Sequence, residues 1–345
     1  FIARFRIRQM LREMRSAFAV IFGMFVSMLI VMMGLDIYVM CQNVNIENKA
    51  DTKFAYMYTY KYPTEEVPDG GEEAFGKTLK KERLGYNLDV TLLGIHDDNP
   101  YFDAKVEDGK NKIVISTAVA QKYNVGEGDV FVLNDEETDT KYAFDIVGIA
   151  QYSSSLYIFM DIDSMRELFH EGSDYYNIVF SDKDLSIPSG RLYATTTKED
   201  VEEASGIFIK MMWPMIYMLL GCSVIIFCVV MYLMMKVMID RSSFNISLIK
   251  IFGYRTKEIG KLYLRGNFYL VAAGALICIP LAKACMDAIY PMLVANVCSG
   301  MNLTFSWQLY AGIYAAVILL YLFINQLLVG RLKKMVPAEV LKNRE

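Results

Sequence analysis

Four apolar runs constrain this chain more than any other feature. They cover residues 17–40, 211–235, 267–290 and 309–330. A helix of about 20 apolar residues crosses a hydrocarbon layer of ~30 Å, and each run has that length. Hydrophobic residues make up 54% of the chain, which is typical of a protein that is partly embedded in a membrane and partly exposed to water. The sequence therefore predicts four transmembrane helices.

The charge of the connecting segments predicts how the spans are oriented, because Lys and Arg in short loops stay on the cytoplasmic side. Residues 1–16 form a predicted Arg-rich amphipathic helix with five Arg and one acid, and residues 236–265 and 331–345 are also basic. Residues 42–206 behave oppositely, with 16 basic and 32 acidic residues. We therefore expect both termini to be cytoplasmic and residues 42–206 to be extracytoplasmic.

Strand and helix patterns are mixed within residues 42–206. Aromatic and β-branched residues predict strands at 54–60, 89–95, 112–117, 142–152, 156–161 and 176–181, and residues 125–149 read as strand, hairpin, strand. Capping residues predict helices at 116–124, 163–172 and 197–206. The predicted fold class is thus a membrane protein with four transmembrane α-helices and a mixed α+β extracytoplasmic domain inserted between the first two. Residues 291–308 would form a short external loop between the last two spans.

The segment "GEEAFGKT", residues 71–78, fits the phosphate-binding pattern G-x-x-x-x-G-K-[ST] letter for letter. That pattern binds nucleotide only where a buried strand leads into the loop and a helix follows it. The preceding residues are acidic and contain Pro63 and Pro68, and the predicted compartment holds no ATP. We therefore interpret the segment as an acidic surface loop leading into a helix, and we expect the chain not to be an enzyme.

Metal, catalytic and disulfide patterns are weak in this sequence. His96 and His170 are too far apart in the chain to form a metal or triad signature, so no metal site is predicted. None of the six cysteines lies within residues 42–206, so that domain has no disulfide framework. A bridge between Cys41 and Cys298 at the outer ends of the spans remains open.

The cytoplasmic segment 240–265 predicts a short amphipathic helix followed by a helix that enters the third span. Ile246, Ile249 and Phe252 recur at helical spacing, with Leu248 alongside, and Gly253 ends the pattern. Two interpretations follow from the residues alone. The helix is either a rigid lever on which a cytoplasmic partner pushes or an interfacial helix that lies on anionic lipid.

The run from Arg241 to Tyr254, "RSSFNISLIKIFGY", resembles the coupling helix of the FtsX/MacB-like permease family, which docks against an ABC ATPase. Asn245 stands where many members carry Glu. The tail "MVPAEVLKNRE" is similar to the family's ending, and the external domain is similar to its periplasmic core domain. The resemblance implies that the ATPase-coupling residues are Arg241, Asn245, Ile246, Leu248, Ile249, Lys250, Phe252, Gly253 and Tyr254.

Membership of this family would imply a permease subunit of the bacterial cytoplasmic membrane that carries no ATPase and no cofactor of its own. A separate cytoplasmic ABC ATPase would bind ATP, and its motion would be transmitted to the external domain for export or extraction of lipid-like or peptide substrates. A second permease copy, a paralogue or an N-terminal half preceding Phe1 would complete the assembly. Membrane lipids are expected partners, and nucleic acid is not. The alternative is a membrane-anchored peptide sensor that works without an ATPase.

Three charged residues lie inside predicted spans, where ionisable groups are costly. Lys283 and Asp287 are four residues apart, which suits a helical ion pair. The pair is either a self-neutralised couple or a contact for the partner subunit or a substrate head group. Asp36 near the end of the first span has no partner nearby in sequence.

Overall fold

The computed structural model describes residues 14–62, 66–241, 248, 251, 256–298 and 300–334. The chain divides into two compact units. The membrane unit contains residues 1–37, 214–289 and 304–345, and the domain unit contains residues 38–213 and 290–303.

Long helices account for the predicted spans. The helices of the described chain are α1 (Met14–Asp51), α2 (Thr117–Tyr123), α3 (Ile162–Phe169), α4 (Lys198–Arg241), α5 (Thr256–Leu293) and α6 (Trp307–Lys334). The helices α1, α4, α5 and α6 are each long and apolar enough to cross a membrane, so the four-span prediction agrees with the structure. The helix predicted at 197–206 is the first part of α4 and not a separate element, since Gly206 and Pro214 do not interrupt it.

Small residues bring α1 close to the other helices of the membrane unit. A Cβ placed on Gly23 would lie 2.2 Å from Val230 Cγ1, and one placed on Gly274 would lie 2.6 Å from Met24 Cε. The contact at Gly23 leaves no room for a side chain, whereas at Gly274 the flexible end of Met24 would have to move. Small residues at helix interfaces commonly permit such close approach in membranes.

The strands of the domain unit form one nine-stranded sheet within the described residues. They are β1 (Tyr56–Tyr60), β2 (Glu72–Arg83), β3 (Tyr86–Ile95), β4 (Lys112–Ser116), β5 (Val130–Asp135), β6 (Thr140–Ala150), β7 (Tyr157–Asp161), β8 (Ile178–Ser181) and β9 (Leu192–Thr197). Their order is β3-β7-β4-β6-β5-β2-β8-β1-β9, and β2 also pairs with β3. The six strands from β3 to β2 therefore close into a ring, while β8, β1 and β9 extend the sheet beyond it.

Alternation along the strands gives the domain unit two main clusters of buried side chains. One face of the ring strands packs with α2 and α3 around residues such as Leu92, Phe131 and Ile158. Residues of the opposite face, including Phe159 and Phe180, form a second cluster. Each of these clusters is continuous across several strands, so the domain is stabilised by ordinary apolar burial.

The structure corrects several details of the predicted domain. It is β-rich, with two short helices, and β2 and β9 are strands that were not predicted. The helix α3 is capped by Asp161, whose side chain accepts a hydrogen bond from Ser164 N, and it closes at His170 in the left-handed conformation. Asp163 and Gly172, the predicted ends, are therefore not its caps.

Candidate functional site

The predicted ATPase-coupling segment lies largely outside the described residues. Arg241 is the last residue of α4. Leu248 is 41% exposed and the neighbouring Ile251 is 56% exposed, so both apolar side chains face outward. The other predicted coupling residues fall outside the described part of the chain: Asn245, Ile246, Ile249, Lys250, Phe252, Gly253 and Tyr254.

All of the nucleotide-like segment 71–78 except Gly71 belongs to the strand β2. Gly76, Lys77 and Thr78 pair antiparallel with Leu93, Leu92 and Thr91 in the middle of the β2–β3 hairpin. No helix begins there, so no helix N-terminus is presented to a phosphate. Lys77 Nζ lies 3.2 Å from Asp135 Oδ2, so the lysine forms an ion pair within the domain. The interpretation as a loop leading into a helix is wrong, and the exclusion of a phosphate-binding loop is supported.

The three intramembrane charges form one cluster in the membrane unit. Lys283 Nζ donates a hydrogen bond of 2.8 Å to Asp36 Oδ1, and it also contacts the Asp287 carboxylate. The Phe305 ring lies 4.2 Å from the same nitrogen, which is cation–π distance. Asp36 is fully buried, and its Oδ2 has no hydrogen-bond partner among the described residues. The sequence offered Asp36 no partner nearby in the chain, and its partner in the structure, Lys283, comes from a different span.

A second buried cation lies in the domain unit. Lys122 on α2 is fully buried and donates hydrogen bonds to the carbonyls of Val294 (2.7 Å) and Val297 (2.6 Å). These carbonyls follow the end of α5, so Lys122 fills the role of a helix C-terminal cap. Burial lowers the pKa of Lys122 to about 8, and the charge of Arg83 adds to the lowering. The sequence gave no sign of this contact, because a Lys in a short surface helix is usually solvated.

The segment 290–303 makes further polar contacts with the rest of the domain unit. Asn43 Nδ2 donates to the Asn302 carbonyl at 2.8 Å, and Met301 N donates to Gln121 Oε1 at 2.9 Å. Cys298 and Cys41 are both free thiols, so the bridge left open by the sequence is not formed.

Neither histidine takes part in a catalytic or metal cluster. His96 Nε2 lies 3.0 Å from Glu73 Oε1, and the same carboxylate is 3.1 Å from Arg166. His170 occupies the left-handed position that closes α3. Within the part of the chain that the structure describes, no group of three His, Cys, Asp or Glu residues is arranged to hold a metal ion.

A family model described as FtsX-like permease C-terminal matches residues 217–337, about a third of the chain. This region is similar to the C-terminal part of FtsX-like permeases. It begins within α4 and takes in α5, α6 and the predicted coupling segment. The family resemblance noted in the sequence is thus confirmed for the later three spans.

The chain was also compared with curated proteins and with solved structures. No curated protein matches it. Among solved structures, it is similar to the extracellular domain of the noncanonic ABC-type transporter YknZ from Gram-positive bacteria. That similarity has 15% identity and a TM-score of 0.26, and it covers 38% of this chain and 85% of that one.

Proposed function

We propose that this chain is an FtsX-like permease, the membrane subunit of an ABC transporter, and works with a separate cytoplasmic ATPase. The observation that carries the proposal is the family match over residues 217–337, which includes the segment predicted to couple to the ATPase. The chain would bind no nucleotide itself, and ATP would stay with the partner. A second copy or a paralogue would supply the other half of the membrane assembly.

The helices on both sides of segment 240–265 suit transmission of movement. The helix α4 runs without interruption from Lys198 to Arg241, about 65 Å at 1.5 Å per residue, and α5 starts at Thr256. A lever would need long helices of this kind next to the segment. This favours a lever over a helix that lies passively on lipid. The work done would be export or extraction of a lipid-like or peptide substrate at the bacterial cytoplasmic membrane, with both termini and segment 240–265 in the cytoplasm.

Co-purification with a cognate ABC ATPase tests the proposal. Ile249→Asp places a charge in the predicted docking face, and we expect it to reduce ATPase recovery at least about tenfold, a loss of roughly 1.4 kcal/mol. Ile149→Asp is the matched control, because Ile149 is an exposed residue of β6 in the inserted domain. It should leave recovery unchanged.

The same experiment separates the two candidate functions. Equal ATPase recovery with both variants would show that the segment does not dock the ATPase. A wild-type chain that recovers no ATPase, but dimerises when a peptide is added, would instead support the peptide sensor.

A further inference from the structure

One junction of the six-stranded ring is closed by a single pair of residues. The strands β2 and β5 pair antiparallel only at Lys80 and Asn134. The next pair along, Glu82 and Val132, is not formed, and Lys81 Nζ donates instead to the Val132 carbonyl at 2.8 Å. The two strands therefore separate beyond Lys80 and leave a slot between them.

The slot faces backbone groups that the sheet leaves unpaired. Alternate residues of an antiparallel strand direct their N–H and C=O groups to opposite sides. The Asp129 carbonyl accepts a hydrogen bond from Ile146 N on the β6 side, so Val130 and Val132 direct their backbone groups toward β2. These two valines are 60% and 37% exposed. An accessible strand edge of this kind can pair with an extended segment of another chain.

The slot is also a basic site on an acidic domain. It holds a cavity of about 520 Å³, which is within the usual size of ligand sites, about 300–1,000 Å³. Lys80, Lys81 and Lys141 line the cavity against one acid, Glu82. Residues 42–206 as a whole hold 16 basic and 32 acidic residues. A negatively charged ligand would therefore be attracted to this slot and repelled by most of the domain around it.

Two of the three lysines carry a charge that no carboxylate balances. Lys80 pairs with Asp89, and Glu136 lies near it. Lys81 and Lys141 form no ion pair among the described residues, and burial lowers the pKa of Lys81. Two of the three ammonium protons of Lys81 have no acceptor in the described part of the chain. A carboxylate in the slot would accept them in charge-assisted hydrogen bonds.

We propose that the slot between β2 and β5 binds an extended peptide that carries carboxylate side chains. The peptide backbone pairs with β5 at Val130 and at the N–H of Val132. Its carboxylates accept hydrogen bonds from Lys81 and Lys141. The proposal goes beyond the transport function, because the binding needs neither the ATPase nor segment 240–265.

Fluorescence anisotropy of dye-labelled peptides tests the proposal with the full chain in nanodiscs. Phosphatidylcholine nanodiscs carry no net charge, and no ATPase is present. The probe is a hexapeptide of alternating glutamate and valine, and the comparison is a hexapeptide of alternating lysine and valine. We expect the glutamate peptide to bind at least about tenfold more tightly at pH 7, since like charges across an interface are unfavourable.

A methylated peptide separates strand pairing from attraction between charges. The same glutamate–valine hexapeptide, methylated on the backbone nitrogens that would face β5, keeps its carboxylates but loses the donors needed for pairing. We expect it to bind roughly fivefold more weakly than the unmethylated peptide.

Two substitutions test the recognition of the carboxylates. Lys81→Met removes a half-buried donor and should weaken binding of the glutamate peptide about tenfold. Lys141→Met removes an exposed charge and should weaken it roughly two- to fivefold. Because Lys141 is exposed, this variant stays informative if Lys81→Met folds poorly. Lys105→Met, at an exposed lysine outside the slot, is the matched control and should bind like the wild type.

Four results would overturn the proposal. No binding of the glutamate peptide would show that the slot takes no such ligand, and equal binding of the lysine peptide would mean that carboxylates are not selected. Unchanged affinity in both Lys81→Met and Lys141→Met would remove the residues assigned to them. Equal binding of the methylated peptide would mean that the slot attracts anions without pairing with a strand.

Discussion

Lys283 lies between two carboxylates, and the two contacts differ in burial. Asp36 is fully buried, whereas the Asp287 side chain is 46% exposed. Desolvated ion pairs add little net stability, but removing one partner leaves an uncompensated buried charge. The cluster therefore adds little to the stability of the membrane unit. Its main effect is to fix which residue of α1 faces which residue of α5.

Asp36→Leu should lower the free energy of unfolding by about 3 kcal/mol, because it leaves Lys283 buried with only the more exposed Asp287. The double variant Asp36→Leu/Lys283→Met removes both buried charges and should recover most of that loss. Asp287→Asn should lower the free energy of unfolding by less than Asp36→Leu does. Thermal unfolding in nanodiscs measures all three, and a double variant no more stable than Asp36→Leu would contradict this account.

Lys122 should make stability depend on pH. Its folded pKa is about 8, below the ordinary value of 10.5, so between these values the unfolded chain holds a proton that the folded protein has released. Stability should therefore rise with pH across this window, by up to about 3 kcal/mol. The neutral amine still has two protons to donate to the Val294 and Val297 carbonyls, so the cap survives the titration.

Comparison of variants isolates this contribution from other titrating groups. Lys122→Met should lose the rise in unfolding temperature between pH 8 and 10.5, while Lys105→Met, at an exposed lysine, should keep it. If the unfolding temperature rose equally with pH in the wild type and in Lys122→Met, the protonation of Lys122 would not differ between the folded and unfolded states, which would contradict this account.

At the scale of elements, glycine determines how closely α1 approaches α4 within the membrane unit. Gly23→Leu should lower the free energy of unfolding by about 1–3 kcal/mol. The new side chain would meet Val230, which is β-branched and cannot rotate freely out of the way. Gly221→Leu is the matched control, since nothing lies within 4 Å of a Cβ at that position. An equal loss in unfolding temperature for both variants would refute the close contact.

The elements also show which parts of the fold could be predicted from sequence. The spans and most strands carry strong local patterns of apolar residues. The strand β2 was missed because seven of its twelve residues are charged, most of them half-buried. Phe75 and Leu79 are buried, and the strand is defined by its pairing with β3. The turn between them has positive φ at both Leu84 and Gly85, and only Gly85 favours that conformation, so the sequence carried a weak hairpin signal there. The Asp36–Lys283 pair joins residues 247 positions apart, and no local pattern selects such a partner.

At the scale of the whole molecule, the chain combines four helices long enough to cross a membrane with a β-rich domain inserted between the first two, and residues 217–337 are similar to FtsX-like permeases. The burial of Lys122 against residues 294–297 was not foreseen, since the two segments are more than 170 positions apart in the chain.

The central claim is that segment 240–265 lies on the ATP side of the membrane and the inserted domain on the other. Labelling of single cysteines in intact cells with a membrane-impermeant maleimide tests it most directly. The account predicts that Ser173→Cys is labelled in intact cells and that Lys250→Cys is labelled only after lysis. Labelling of position 250 from outside, or protection of position 173 until lysis, would contradict it.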